Sequence, residues 1–170
     1  MQLSELEETI INNNTEEARK IIEQIGYSKN AKAVPLLIHY LVGTDNNIIR
    51  NAIAIALSDI GSIEAIEPII NMLRHPKTIG ARGTLLYALE AFDCSAHGEL
   101  MTDLLLEGNF EVRIQSQILL KSNAKSIPIE VKQKCIEKIQ EEMESLREKI
   151  EFLSESLEVL LDTGTPDVQD

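Results

Sequence analysis

The chain has 170 residues, of which 44% are apolar, 26% charged and only 4% aromatic, with no Trp. Its formal charge of −12 argues against nucleic acid as a partner, because phosphate binding requires a positive surface. Length and composition suit one domain with a core of Leu, Ile and Ala, with room for an appendage.

The acid is unevenly placed. Residues 1–24 carry 6 Asp+Glu against 2 Lys+Arg, residues 25–126 carry 10 against 9, and residues 127–170 carry 12 against 5. Such a surface permits a basic protein partner, although acidic ends also serve solvation alone. Met1–Ile10 has neither the basic nor the apolar region of a signal peptide. No apolar run is long enough to span a bilayer. Cys94 and Cys135 are too few and too far apart for a disulfide framework. The expectation is a reduced, cytoplasmic protein without membrane contact, its cysteines small apolar fillers.

In chain order, "LSELEETIINN" and "TEEARKIIEQIG" read as a short helix pair. Thr15 followed by Glu16 and Glu17 reads as a capped helix start with acids at the positive end of the helix dipole. Residues 1–27 would be the capping pair that a repeat array needs at its end. Next, "AVPLLIHYLVGTDNNIIRNAIAIALSDIG" from Ala33 aligns with "AIEPIINMLRHPKTIGARGTLLYALEAFD" from Ala65. Pro35 matches Pro68, Arg50 matches Arg82, and Ala56-Leu57 matches Ala88-Leu89, at an offset of 32 or 33 residues. A third unit, "HGELMTDLLLEGNFEVRIQSQILLKSN", places Arg113 31 residues after Arg82.

Each unit has a first helix ending near "VGTD", "RHPK" or "LEGN", where Gly, Pro and Asn suit a tight turn between helices. Ile49, Ala52, Ile53, Ala56, Leu57 and Ile60 form one apolar helix face. Ser62 is expected to cap the helix that follows. A period in the thirties with two helices per unit is the pattern of an α-solenoid. The fold class is therefore all-α, an α–α superhelix of about four helix pairs over residues 1–126.

These units resemble HEAT repeats, of the variety first noted in phycobilin lyases. The residues carrying the resemblance are Asp45, Ile49-Arg50, Ala52, Ala56-Leu57 and Gly61. The second unit departs from the pattern, with Lys77 and Gly80 where the Asp should stand. The third keeps Val112-Arg113 and loses the alanines. The resemblance covers about residues 28–125 and speaks for fold far more than for function. It implies architectural roles: Asp45 capping the second helix, and Arg50, Arg82 and Arg113 reaching neighbouring backbone or acids.

Little in the chain suggests catalysis. His39, His75 and His97 fall one per unit with no metal-ligand spacing, so no metal and no cofactor are expected. Asp93, Cys94, His97 and Glu99 lie close in sequence, but helix capping by Asp93 or Ser95 explains them more simply than a nucleophile. "IGARG" is no phosphate loop, since no strand precedes it.

A binding surface has better support. Off the apolar face, the second helix of the first full unit presents Asn47, Asn51, Ile55 and Ser58. The next presents Gly83, Tyr87 and Glu90, and the third Ile114, Ile118 and Lys121. Ile55, Tyr87 and Ile118 thus form one column. It serves contacts between units, contact with the long C-terminal helix, or a groove for another protein with Tyr87 as its anchor. The candidate partner-binding residues are Asn47, Asn51, Ile55, Tyr87, Glu90 and Ile118.

From Pro128 onward no breaker interrupts a heptad pattern, with Ser126 the expected cap and Pro128 in the first turn. Position a holds Ile136, Met143, Ile150 and Leu157, and position d holds Ile139, Leu146, Leu153 and Leu160. The f positions, Glu141, Glu148, Glu155 and Asp162, are all acidic. This is coiled-coil spacing. A helix over residues 127–162 would be roughly 50 Å long, too long for one more repeat helix. Its seam fits a second copy, another protein or the chain's own solenoid. Only Phe152, Val159 and Leu161 widen the seam, which favours pairing. In a parallel pair Glu142 would meet Arg147 of the other strand, and antiparallel pairing is equally open. Residues 163–170 are expected to be disordered.

The expected function is a non-catalytic protein–protein interaction or scaffold module, a homodimer through the C-terminal helix, with another protein as its partner. One alternative is an immunity-type inhibitor neutralising a basic toxin. The resemblance also reaches bilin lyases and a family of DNA glycosylases; the acidic surface and missing Trp count against the glycosylases.

Overall fold

The computed structural model describes residues 2–162, and the tail expected to be disordered lies outside them. Nine α-helices are found among the described residues: α1 (Gln2–Ile11), α2 (Thr15–Tyr27), α3 (Val34–Gly43), α4 (Asn47–Ile60), α5 (Ile66–Arg74), α6 (Gly83–Ala88), α7 (Gly98–Glu107), α8 (Phe110–Asn123) and α9 (Ile129–Asp162). No strand occurs among these residues.

The even-numbered helices α2, α4, α6 and α8 stack side by side, each against the next. In the other layer α3 lies against α5, and α7 against α9. One continuous core joins the layers, from Leu6 on α1 to Leu119 on α8. The expected face of α4 is the buried one: Ile49, Ile53, Ala56 and Leu57 are inside, and Ala52 and Ile60 are half-buried. Full burial of a side chain such as Leu57 contributes about 2 kcal/mol.

The helix ends follow local chemistry. Asn46, not Asp45, caps α4, its Oδ1 accepting from the Ile48 and Ile49 amides. Asp45 is solvent-exposed and faces Lys77 at 3.6 Å. Likewise Asn14, not Thr15, caps α2. The Thr15 hydroxyl instead accepts from Asn46 Nδ2 at 2.9 Å, tying the first pair to the second. Ser62 makes no capping hydrogen bond and precedes a 3-10 turn, Ile63–Ala65. Helix α9 starts one residue after Pro128, whose carbonyl accepts from the Lys132 amide. Gly61 ends α4 at φ 76°, a left-handed cap that costs glycine little. Pro35 and Pro68 both fall in the first turn of their helices, where no intrahelical bond is lost.

The arginines close the turns. Arg50, only 1% exposed, donates to the Thr44 carbonyl and to Asn47 Oδ1. Arg113 donates to the Gly108 carbonyl at 2.7 Å. Among the described residues Arg82 reaches only the Thr78 hydroxyl, at 3.4 Å. In that second unit α6 is cut to six residues and runs into a 3-10 turn, Leu89–Ala91. Lys77, standing where the repeat pattern has Asp, donates to the Val42 carbonyl at 2.6 Å. A cation at the C-terminal end of α3 is favourable, so the departure is put to use between units.

Helix α9 continues the repeat before leaving it. The first helices of the units start at Val34, Ile66, Gly98 and Ile129, so 32, 32 and 31 residues apart. The beginning of α9 therefore stands where a further first helix belongs, against α7. Cys135 is buried there, and a Cβ at Gly98 would meet Ile127 and Val131. Lys138 joins both Glu99 (3.0 Å) and Asp103 (2.6 Å) of α7, and Lys134 faces Glu99 at 3.7 Å. No second helix follows among the described residues.

Candidate functional site

The heptad seam divides at the edge of the solenoid. Ile139 is half-buried and Ile136 is more open. From Met143 on, every residue of α9 is exposed. Met143, Leu146, Ile150, Leu153, Leu157 and Leu160 lie in one row and are 48–72% exposed. The heptad spacing keeps them on one side of the helix, with Glu148, Glu155 and Asp162 on the other. The start of the seam abuts the solenoid, and its longer part faces solvent. Arg147 pairs within its own helix with Glu144 at 2.6 Å, an exposed bond that costs little to exchange.

The column on the second helices is also at the surface. Ile55 is 37% exposed, Tyr87 53% and Ile118 38%. Two adjoining clefts share Ile55 and Asp59. One, of about 190 Å³, is lined by Glu23, Tyr27, Ala52, Ile55, Ala56 and Asp59. The other, of about 270 Å³, is lined by Ile55, Ser58, Asp59, Tyr87, Glu90 and Ala91. Together they make a trough across α2, α4 and α6. Of the residues expected here, Ile55, Tyr87 and Glu90 are brought together. Asn51, one turn before Ile55, has its Oδ1 buried without a hydrogen-bond partner among the described residues. Asn47 sits at the start of α4 and is engaged by Arg50. Ile118 does not line the trough, although with Ile114 it leaves α8 partly apolar at its surface.

Tyr27, 81% exposed, and Asp59 were not anticipated. The signal was present: with Ala18, Ile21, Ile22 and Ile25 buried on α2, the off-core row at four-residue spacing is Arg19, Glu23 and Tyr27. The same spacing on α4 runs Asn51, Ile55, Asp59. Gly26 brings the rows together, since a Cβ there would lie 3.0 Å from Ala56 Cα. The missing side chain lets α2 approach α4 closely enough for Tyr27 to share a cleft with Ile55.

Most of the candidate reactive groups are buried or hydrogen-bonded. Cys94 is inside the fold, its amide bonded to Asn123 Oδ1 at 2.9 Å. Burial, reinforced by Asp93 and Glu67, pushes its thiol up to about 11, which disfavours the nucleophilic thiolate. His97 Nε2 lies 2.9 Å from Glu67. Asp93 accepts from the Ser95 amide at 2.9 Å, and the Ser95 side chain first, with that amide second, holds its carboxyl below the ordinary value. His75 Nδ1 accepts from the Lys77 amide at 3.1 Å, and the exposed His39 meets Tyr40 edge-on at 5.2 Å. Among the described residues no group of three or more His, Cys, Asp or Glu is placed to hold a metal ion. No helix among them is long and apolar enough to cross a membrane.

No curated protein and no solved structure matches this chain. A family match does exist, to HEAT repeats, over residues 3–90. It is to HEAT repeats in general and does not single out the phycobilin-lyase variety. The matched region begins at α1 and closes within the turn after α6, so it takes in both the expected capping pair and the irregular second unit. Stacked helix pairs, turn-closing arginines and this match agree: the chain belongs to the HEAT-repeat family.

Proposed function

We propose that this protein is a non-catalytic interaction module that pairs with a second copy of itself through residues 143–160 of α9. HEAT repeats are generally protein-interaction scaffolds and are typically non-enzymatic. The observation that carries the pairing is the row of six large apolar side chains on the part of α9 beyond the solenoid. A contiguous exposed apolar strip of this kind marks an interaction site. Its heptad spacing makes it complementary to itself. At Ile150 a β-branched a position is flanked by Leu146 and Leu153 at d, the combination that favours two strands, while Met143 and Leu157 fill the other a positions. In a parallel pair Arg147 would exchange Glu144 for Glu142 of the other copy.

The test is co-expression of two differently tagged full-length copies. Capture of one is expected to bring down the other, and the double substitution Leu146→Glu, Leu153→Glu is expected to abolish this while leaving the solenoid's helical signal intact. Failure of the native copies to co-purify would overturn the pairing.

A further inference from the structure

The trough across α2, α4 and α6 has a composition that selects an occupant. Its floor is apolar, from Ala52, Ile55, Ala56 and Ala91, and two exposed tyrosines stand on it, Tyr27 at the α2 end and Tyr87 on α6. Three carboxylates edge it: Glu23, Asp59 and Glu90. Glu23 is engaged by Arg19. Asp59 and Glu90 have no ion-pair partner among the described residues, and both line the cleft that contains Tyr87. Nearby uncompensated negative charge, an aromatic face and an apolar floor together suit a guanidinium or ammonium group on an apolar stem.

We infer that this trough holds an extended, cationic segment of a partner protein, with an Arg or Lys set between Asp59 and Glu90 against the Tyr87 ring. Neighbouring helices lie about 9 Å apart, so the path from α2 to α6 is roughly 18 Å, which five or six extended residues span. Alternation suits such a segment: side chains on one face meet Ile55 and the alanines, and those on the other meet the carboxylate edges. The inference rests on the interaction-module reading but not on pairing through α9, because the trough lies on the solenoid.

The probe is a fluorescent hexapeptide of alternating Arg and Leu, titrated with the full-length chain at about 150 mM salt, where unfocused attraction to a protein of charge −12 is largely screened. Saturable binding is expected. Asp59→Lys with Glu90→Lys is expected to weaken it about tenfold or more, and Tyr87→Ala, at a ring 53% exposed, severalfold. Glu148→Lys with Glu155→Lys makes the same change in net charge on α9 and is expected to leave the affinity within about twofold. Equal weakening by both double variants would overturn the inference, since the peptide would then be reading net charge alone. So would absence of saturable binding to the native chain. Solution mass measured on the same samples separates the two ideas: a peptide that does not bind a paired chain counts against the trough alone.

Discussion

Arg50 shows what a single side chain does in this fold. Its guanidinium is buried yet charged, held by the Thr44 carbonyl and Asn47 Oδ1, with its Nε left without a partner among the described residues. Burial pulls its pKa below the ordinary arginine value, opposed by Asp45. Arg50→Ala removes hydrogen bonds from a charged donor and leaves a cavity, so a loss of about 3 kcal/mol is expected in urea denaturation. Arg113→Ala, at an exposed turn, is expected to cost about 1 kcal/mol or less. Cys94 provides a titration to follow. Its thiol ionises near 11 in the fold against an ordinary 9.0, so the unfolded chain loses its proton first as pH rises. The contribution of this group to stability is then full below pH 9 and declines between about 9 and 11; in thermal melts over that window the decline should be shallower for Cys94→Ala than for the native chain. At this scale the sequence was partly legible. The arginine period was readable because each arginine serves its own turn. The caps were misplaced by one residue, onto Asp45 and Thr15, because Asn46 and Asn14 have equally suitable side chains and only backbone geometry chooses between them.

Among the elements, α2, α6 and α9 depart from a uniform repeat, each for a physical reason. Gly26 allows α2 its close crossing with α4, so Gly26→Val is expected to cost about 1–3 kcal/mol by forcing the helices apart, and to weaken peptide binding at the trough with it. The truncation of α6 follows from Pro76, Gly80 and Gly83 clustering where a second helix would begin. The apolar pattern alone, continuing through Leu85, Leu86 and Leu89, gave no warning of it. The start of α9 is fastened to α7 by Lys138, whose pKa is raised by Asp103 and Glu99. Lys138→Glu puts three acids together and is expected to speed amide exchange over residues 131–139 while leaving α2 and α4 unchanged. The heptad was plain in the sequence. That its first turns also continue the repeat was not, because Cys135 and Val131 fall off the a and d positions and their burial depends on α7.

For the molecule as a whole, the two candidate surfaces are independent. The trough belongs to the stacked second helices, whereas the seam lies beyond the last of them on a helix that has left the solenoid. Pairing through the seam would present two troughs per assembly, and two sites joined rigidly bind a repeated partner more tightly than either alone. That arrangement depends on whether the row from Met143 to Leu160 meets its like. The decisive measurement is the solution mass of the full-length chain across a concentration series extending to tens of micromolar. The account predicts twice the 19.0 kDa of one chain at the upper concentrations, falling toward a single chain on dilution. A mass of one chain throughout the series would contradict it.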